Sequence, residues 1–205
     1  MTGFLPDIPA FIEAHGYFAI WLLAWVETVF PVFPSEVILP LGALAASHGK
    51  LSLWGVALAG TMGSMTGAVA WYVLARWLGF DRLTALVTRH GRWTTLSPAS
   101  MARLLGWFER FGSLTVFGGR LVPGLRSAVS IPAGIAKMPF LPFFAWSIAG
   151  VGLWASLLTW GGWALRNQME MVQHWLSPAI KLMIVGLALL WLYRVITWRE
   201  PDMGA

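Results

Sequence analysis

Four charged side chains lie inside stretches that are otherwise apolar. Arg120 and Arg126 flank Pro123 in Arg-Leu-Val-Pro-Gly-Leu-Arg, and Glu27 and Glu36 bracket Pro31 and Pro34 in Glu-Thr-Val-Phe-Pro-Val-Phe-Pro-Ser-Glu. A guanidinium at the centre of a membrane helix costs about 2.5–3.5 kcal/mol on insertion scales, so two of them call for partners. The two carboxylates are the natural ones. Two acids and two bases, each pair on a proline-broken apolar stretch, predict a polar site at membrane depth. Arginine at such a site suits phosphate, because its planar, permanently charged fork binds phosphate oxygens in pairs. Carboxylates beside it can neutralise the arginines or take up protons, since a low dielectric disfavours a charged carboxyl.

The elements that must position these groups follow from composition. The 205 residues are 58% hydrophobic and only 11% charged, with mean hydropathy +0.68, where a soluble domain is about a quarter charged. Residues 51–75 and 138–165 carry no charge, and each exceeds the roughly 20 residues that span a bilayer. A third candidate lies at 175–196, with Lys181 near its start. Residues 14–49 hold Glu27, Pro31, Pro34, Glu36 and Pro40, and residues 111–137 hold Arg120, Pro123, Arg126, Pro132 and Gly134. Proline removes a backbone donor and breaks helices. Broken backbone at membrane depth survives only when buried in protein or lining a wet cavity. Both segments therefore read as re-entrant hairpins, shaped by Pro31, Pro34, Pro40, Pro123, Pro132 and Gly134.

An internal repeat fits this reading. A shift of 92 positions superposes ten identical residues, among them Pro31 on Pro123, Ser35 on Ser127, Pro40 on Pro132, Gly42 on Gly134, Gly60 on Gly152 and Trp71 on Trp163. Internal repeats mark many transporter folds. The predicted fold is an all-α integral membrane protein, a single domain of two inverted hairpin-plus-span repeats and a C-terminal transmembrane helix. Its parts are hairpin 14–49, span 51–76, a basic loop 77–110, hairpin 111–137, span 140–165 and span 175–196. Counting Arg76 at its edge, the loop carries six arginines against Asp81 and Glu109, which places it in the cytoplasm. Inside it, Ser97-Pro98 opens a short amphipathic helix with Met101, Leu104, Leu105 and Phe108 on one face. The first hairpin then opens to the periplasmic side and the second to the cytoplasm. The N-terminus lies outside on this scheme, or inside if residues 14–31 form a full span.

Several features exclude other classes. No cysteine is present, so thiolate metal sites, disulfides and cysteine nucleophiles are absent. The four histidines are scattered without metal-ligand spacing, and no metal or other cofactor is expected. The net charge of +5 is the signature of basic cytoplasmic loops, not of a nucleic-acid binder. The 14 tryptophans are interfacial anchors and packing residues. Residues 1–13 have acids but no Lys or Arg, so no secretory signal is expected there. Gly60, Gly63 and Gly67 share one helix face, the pattern of close helix packing. Lys137 follows the arginine hairpin and is placed to meet a headgroup.

The combination Glu27-Thr-x-x-Pro, Pro34-Ser-Glu36-x-x-Leu, Tyr72-x-x-Ala-Arg76-x-x-Gly79, Arg120-x-x-Pro-x-x-Arg126, Ala133-Gly134 and Met138 resembles the DedA family, the bacterial branch of the VTT, or SNARE-associated, membrane proteins. It covers residues 15–170. Ala75 departs from it, since the family usually has Gly before the Arg. The resemblance implies a multi-pass protein of the bacterial inner membrane, tied to envelope integrity and proton-motive force. It also implies a transporter, flippase or scramblase, of lipid, with undecaprenyl phosphate or phosphatidylethanolamine as substrate. Glu27, Glu36, Arg120 and Arg126 fall on the family's functional acids and arginines. The implied partners are membrane lipids through their phosphate headgroups, and protons, with a homo-oligomer compatible.

Two other classes compete. A proton or cation antiporter supporting the membrane potential would use the carboxylates and leave the arginines structural. A lipid-phosphate phosphatase needs a nucleophile or a metal cluster, and neither is visible, so no enzyme is expected. The structural alternative is that the four charges only tie two hairpins together.

Overall fold

The computed structural model describes residues 8–30, 35–94, 106, 108, 110–122, 125–168 and 186, with the side chains of 80, 81, 83–94 and 168 outside the description. Among the described residues the fold is all-helical. The helices are α1 (Ile8–His15), α2 (Tyr17–Val29), α3 (Ser35–Ser47), α4 (Leu53–Thr94), α5 (Leu114–Leu121), α6 (Ser130–Ile135) and α7 (Phe140–Ala164), closed by a single 3-10 turn at Arg166–Gln168. Apart from residues 106, 108 and 186, the amphipathic helix expected from Ser97 and the C-terminal span 175–196 lie outside the described residues, as do Pro31, Pro34 and Pro123.

Two helical stretches, Leu53–Gly79 and Phe140–Ala164, are long and apolar enough to cross a membrane. At about 1.5 Å per residue each exceeds the roughly 30 Å hydrocarbon core. Each has one face buried against protein and one exposed face. On α7, Phe143, Ser147, Gly150, Val151, Ala155, Thr159 and Gly162 are buried at helical spacing, while Leu141, Ile148, Leu153 and Leu157 are exposed. On α4 the exposed stripe is Trp54, Leu58, Met62, Val73 and Trp77.

The helix count departs from the sequence reading in two places. Helical backbone continues past Gly79, whose φ is +69°, to Thr94, so the first half of the presumed loop is helical. The charges there end the apolar run, but Arg, Leu and Ala are good helix formers and nothing between 80 and 94 forbids a helix. Pro40, expected to help break the first hairpin, lies inside continuous α3. Its missing N–H leaves the Glu36 carbonyl, four residues back, without its helical donor. Pro132 is the third residue of α6, in the first turn, where proline is tolerated.

Packing is reciprocal. α2 lies against α4 and α5 against α7, while α3 lies against α7 and α6 against α4. Glycines permit the closest approaches. A Cβ on Gly63 would sit 2.2 Å from the Trp21 carbonyl oxygen, and one on Gly67 2.8 Å from Thr28 Cβ. The glycine face of α4 therefore admits α2 and does so by backbone contact. A Cβ on Gly134 would sit 2.4 Å from the Tyr72 carbonyl, and one on Gly162 2.6 Å from Pro40 Cα. Tyr72 fixes the α6–α7 corner from α4. Its hydroxyl donates to the Met138 carbonyl, Arg76 donates to the same carbonyl at 2.8 Å, and its ring stacks on Phe143 at 4.2 Å.

Candidate functional site

Glu27 stands in the last turn of α2 and is buried. The end of α2 is tied down around it. Thr28 Oγ1 donates to the Ala24 carbonyl at 2.9 Å, and Trp71 Nε1 on α4 donates to the Thr28 carbonyl at 3.2 Å. That bond satisfies one of the carbonyls a helix end leaves open. Glu36 is half-buried in the first turn of α3, where a helix N-terminus favours a negative charge.

Arg120 occupies the last turn of α5 and is 2% exposed. A cation there meets the negative end of the helix dipole. Its guanidinium is held by neutral acceptors. Nη1 donates to the Arg126 carbonyl, and Nη2 donates to Ser130 Oγ at 2.8 Å and Ser147 Oγ at 3.2 Å. The guanidinium carbon also lies 5.9 Å from the Phe143 ring centre. Gly150 makes room, since a Cβ there would meet Arg120 Cβ at 2.7 Å. Ser147, Gly150, Val151 and Trp154 thus form one stripe of α7 beside this arginine.

Arg126 lies in the turn 125–129 that leads into α6. Its Nη2 forms an ion pair with Glu27 Oε1, both side chains being largely buried, at 15% and 8% exposure. The acid of the first charged segment and a base of the second are therefore joined directly, with Arg120 attached through the Arg126 carbonyl. Among the described residues no ion pair engages Glu36 or Arg120. Lys137 is exposed, with a left-handed φ of +52° where the chain leaves α6.

The turn 125–129 separates two spaces. Arg126 and Ser127 face a polar cavity of about 10 Å³, shared with Thr28, Ser64, Arg120 and Trp154. Leu125, Ala128 and Val129 face an apolar groove of about 360 Å³, whose other wall includes Phe108, Phe111 and Leu114. Three polar atoms at this junction are buried without a hydrogen-bond partner among the described residues: Glu27 Oε2, Arg120 Nε and Trp154 Nε1. Buried polar groups in folded proteins are nearly always paired, so these mark a site with open valences. The arrangement can neutralise and hold an anion, and it offers one carboxylate oxygen for a proton.

Ser64, Ser130, Ser147 and Trp154 are site residues the charge pattern does not reveal. The available signal was helical spacing: Ser147 and Trp154 share a face of the uncharged span with Gly150. Among the described residues no group of three His, Asp or Glu could hold a metal ion.

Comparison with known proteins now bears on this geometry. Residues 33–164 match the VTT domain family. The chain is 34% identical over 186 residues to the alkaline phosphatase-like protein of Lactococcus lactis subsp. lactis (strain IL1403), covering 90% of this chain and 87% of the relative. It is 31% identical over 191 residues to undecaprenyl phosphate transporter A of Staphylococcus aureus, covering 93% and 94%. The protein of the same name from Bacillus subtilis is 28% identical over 193 residues, covering 92% and 93%. No solved structure matches the chain.

Proposed function

The chain belongs to the VTT domain family, the DedA membrane proteins, and from that premise we propose that it carries a phosphate-bearing lipid between the leaflets of a bacterial inner membrane. The observation that carries the reading is the buried Glu27–Arg126–Arg120 cluster beside open N–H donors. A phosphate crossing hydrocarbon must exchange its water for such donors, because unpaired charge there is prohibitive. The names of the Staphylococcus and Bacillus relatives favour undecaprenyl phosphate over a glycerophospholipid. The phosphatase-like name of the Lactococcus relative finds no metal cluster to support it among the described residues.

We read α2 and α3 as the two arms of a re-entrant hairpin. Each has 13 residues, about 20 Å of helix against a core of about 30 Å. The reciprocal packing of α3 on α7 and α6 on α4 supports two interlocked repeats of opposite orientation. In the carrier cycle, Glu27 holds Arg126 when no lipid is bound. A proton on Glu27, at the partnerless Oε2, releases Arg126 to the phosphate, and loss of that proton returns Arg126 to the carboxylate and ejects the lipid. Glu36, half-buried at the head of α3, is the second proton acceptor.

Leaflet exchange in proteoliposomes tests this. Fluorescent undecaprenyl phosphate and phosphatidylethanolamine are compared for wild type and Arg126→Ala, with and without a pH gradient. Rapid exchange of one lipid, lost in the variant and driven by the gradient, is the expected result. Exchange indifferent to the gradient removes the proton coupling. No exchange of either lipid by folded protein overturns the carrier and leaves the antiporter, which the partnerless carboxylate oxygen would serve.

A further inference from the structure

The arginines are not the whole of the anion site. Both Nη atoms of Arg120 are engaged, but its Nε–H is not, and the indole Nε1–H of Trp154 is in the same condition among the described residues. The two side chains line one cavity. Leaving a buried N–H unpaired is costly, and here two residues with such donors line the same small space. They come from different elements, α5 and α7. What satisfies two N–H donors at once, beside a guanidinium, is an acceptor with several lone pairs and negative charge. The cavity's volume of about 10 Å³ is near the minimum for a single water. A larger anion enters only when the Glu27–Arg126 pair opens.

We propose that Trp154 is a headgroup residue: its Nε1–H and the Nε–H of Arg120 bind oxygens of the lipid phosphate once Arg126 has left Glu27. This rests on the phosphate-lipid reading of the same site. Trp154 then ties the headgroup to the second span, where the hairpin arginines alone would hold it only to the 111–137 segment. Its role is recognition, so it governs how much lipid is needed and not how fast the loaded protein turns over.

The test is the dependence of undecaprenyl phosphate exchange on its mole fraction in proteoliposomes. Trp154→Phe keeps an aromatic ring and removes the N–H. The half-saturating mole fraction should rise roughly tenfold, the loss of one hydrogen bond to a charged acceptor, with the maximal rate within about twofold of wild type. Trp154→His, which restores a ring N–H, should recover part of the loss. A second readout needs no variant. In ¹⁵N-tryptophan-labelled wild type, an indole N–H resonance should move downfield on titration with undecaprenyl phosphate and stay in place with undecaprenol. A Phe variant that saturates like wild type while Arg126→Ala is dead overturns the proposal and leaves the carrier standing. An indole spectrum unmoved by the phosphate lipid overturns it equally. A wild type that exchanges no lipid removes the carrier reading, and this one with it.

Discussion

Exchanging the charges of the buried pair separates a structural role from a transporting one. Glu27 and Arg126 are largely buried, at 8% and 15% side-chain exposure, and each is the other's ion-pair partner among the described residues. Removing one member strands the other charge, which costs about 3–5 kcal/mol. For a chain of this length that is roughly 6–20 °C in melting temperature. Glu27→Gln and Arg126→Gln should each show a loss of that order in detergent micelles, followed by thermal unfolding. The double reversal, Glu27→Arg with Arg126→Glu, restores an ion pair. It also keeps the Arg126 carbonyl that Arg120 holds, because that acceptor is backbone. Its stability should recover most of the loss, through a coupling energy of up to about 3 kcal/mol. Leaflet exchange should nevertheless be absent, because the releasable group on the 125–129 turn is now a carboxylate facing a phosphate. Wild-type exchange by the reversed protein would mean the pair is only a clasp. A Glu27→Gln protein as stable as wild type would mean the pair is not desolvated, and the magnitude argument would fail with it.

Two further variants probe what positions the pair. Gly63→Ala places a Cβ 2.2 Å from the Trp21 carbonyl oxygen, whereas a Cβ on Gly118 meets nothing within 4 Å. The first should lose about 1–3 kcal/mol by overpacking, and Gly118→Ala should gain up to about 1 kcal/mol of helix propensity, both read as shifts in thermal unfolding. Ser147→Ala removes an acceptor from the buried Arg120 guanidinium and should cost about 1–3 kcal/mol, with Ser147→Thr closer to wild type in the same assay.

The charge pattern was legible because the bilayer makes each ionisable group inside it conspicuous. Glu27 and Arg126, 99 positions apart in the numbering, meet as their signs and settings imply. The two long apolar helices were legible for the same reason, as uncharged runs. The glycines of α4 mark a close-packing face, which admits α2 at Gly63 and Gly67 and Leu39 of α3 at Gly60. Pro40 was misread, because a proline signals a lost donor and not where a helix ends. α3 carries it with Gly162 of α7 packed against its ring. The helix from 80 to 94 is hidden in the sequence by its charges, which end a membrane span without ending a helix. Ser130, Ser147 and Trp154 carry at most a weak spacing signal, because neutral polar residues are ordinary in apolar helices. Only a buried arginine lying across them gives them a role.

The two arginines differ in a way that bears on the proposed carrier cycle. Arg126 is balanced by a carboxylate, and Arg120 by hydroxyls and a carbonyl that carry no charge. Guanidinium does not deprotonate in proteins, so among these three side chains the cluster holds one positive charge in excess. Neutral acceptors satisfy hydrogen-bonding valence but do not cancel the field of a buried ion, which extends further in a low dielectric than in water. Arg120 therefore keeps the site attractive to an anion even while Glu27 holds Arg126. The pair can then open in response to an anion already drawn toward it, and the arginine that moves need not be the one that attracts. Reversing the pair leaves Arg120 untouched but reverses the sign of the mobile group, which is why the reversed protein should fold and yet fail to carry.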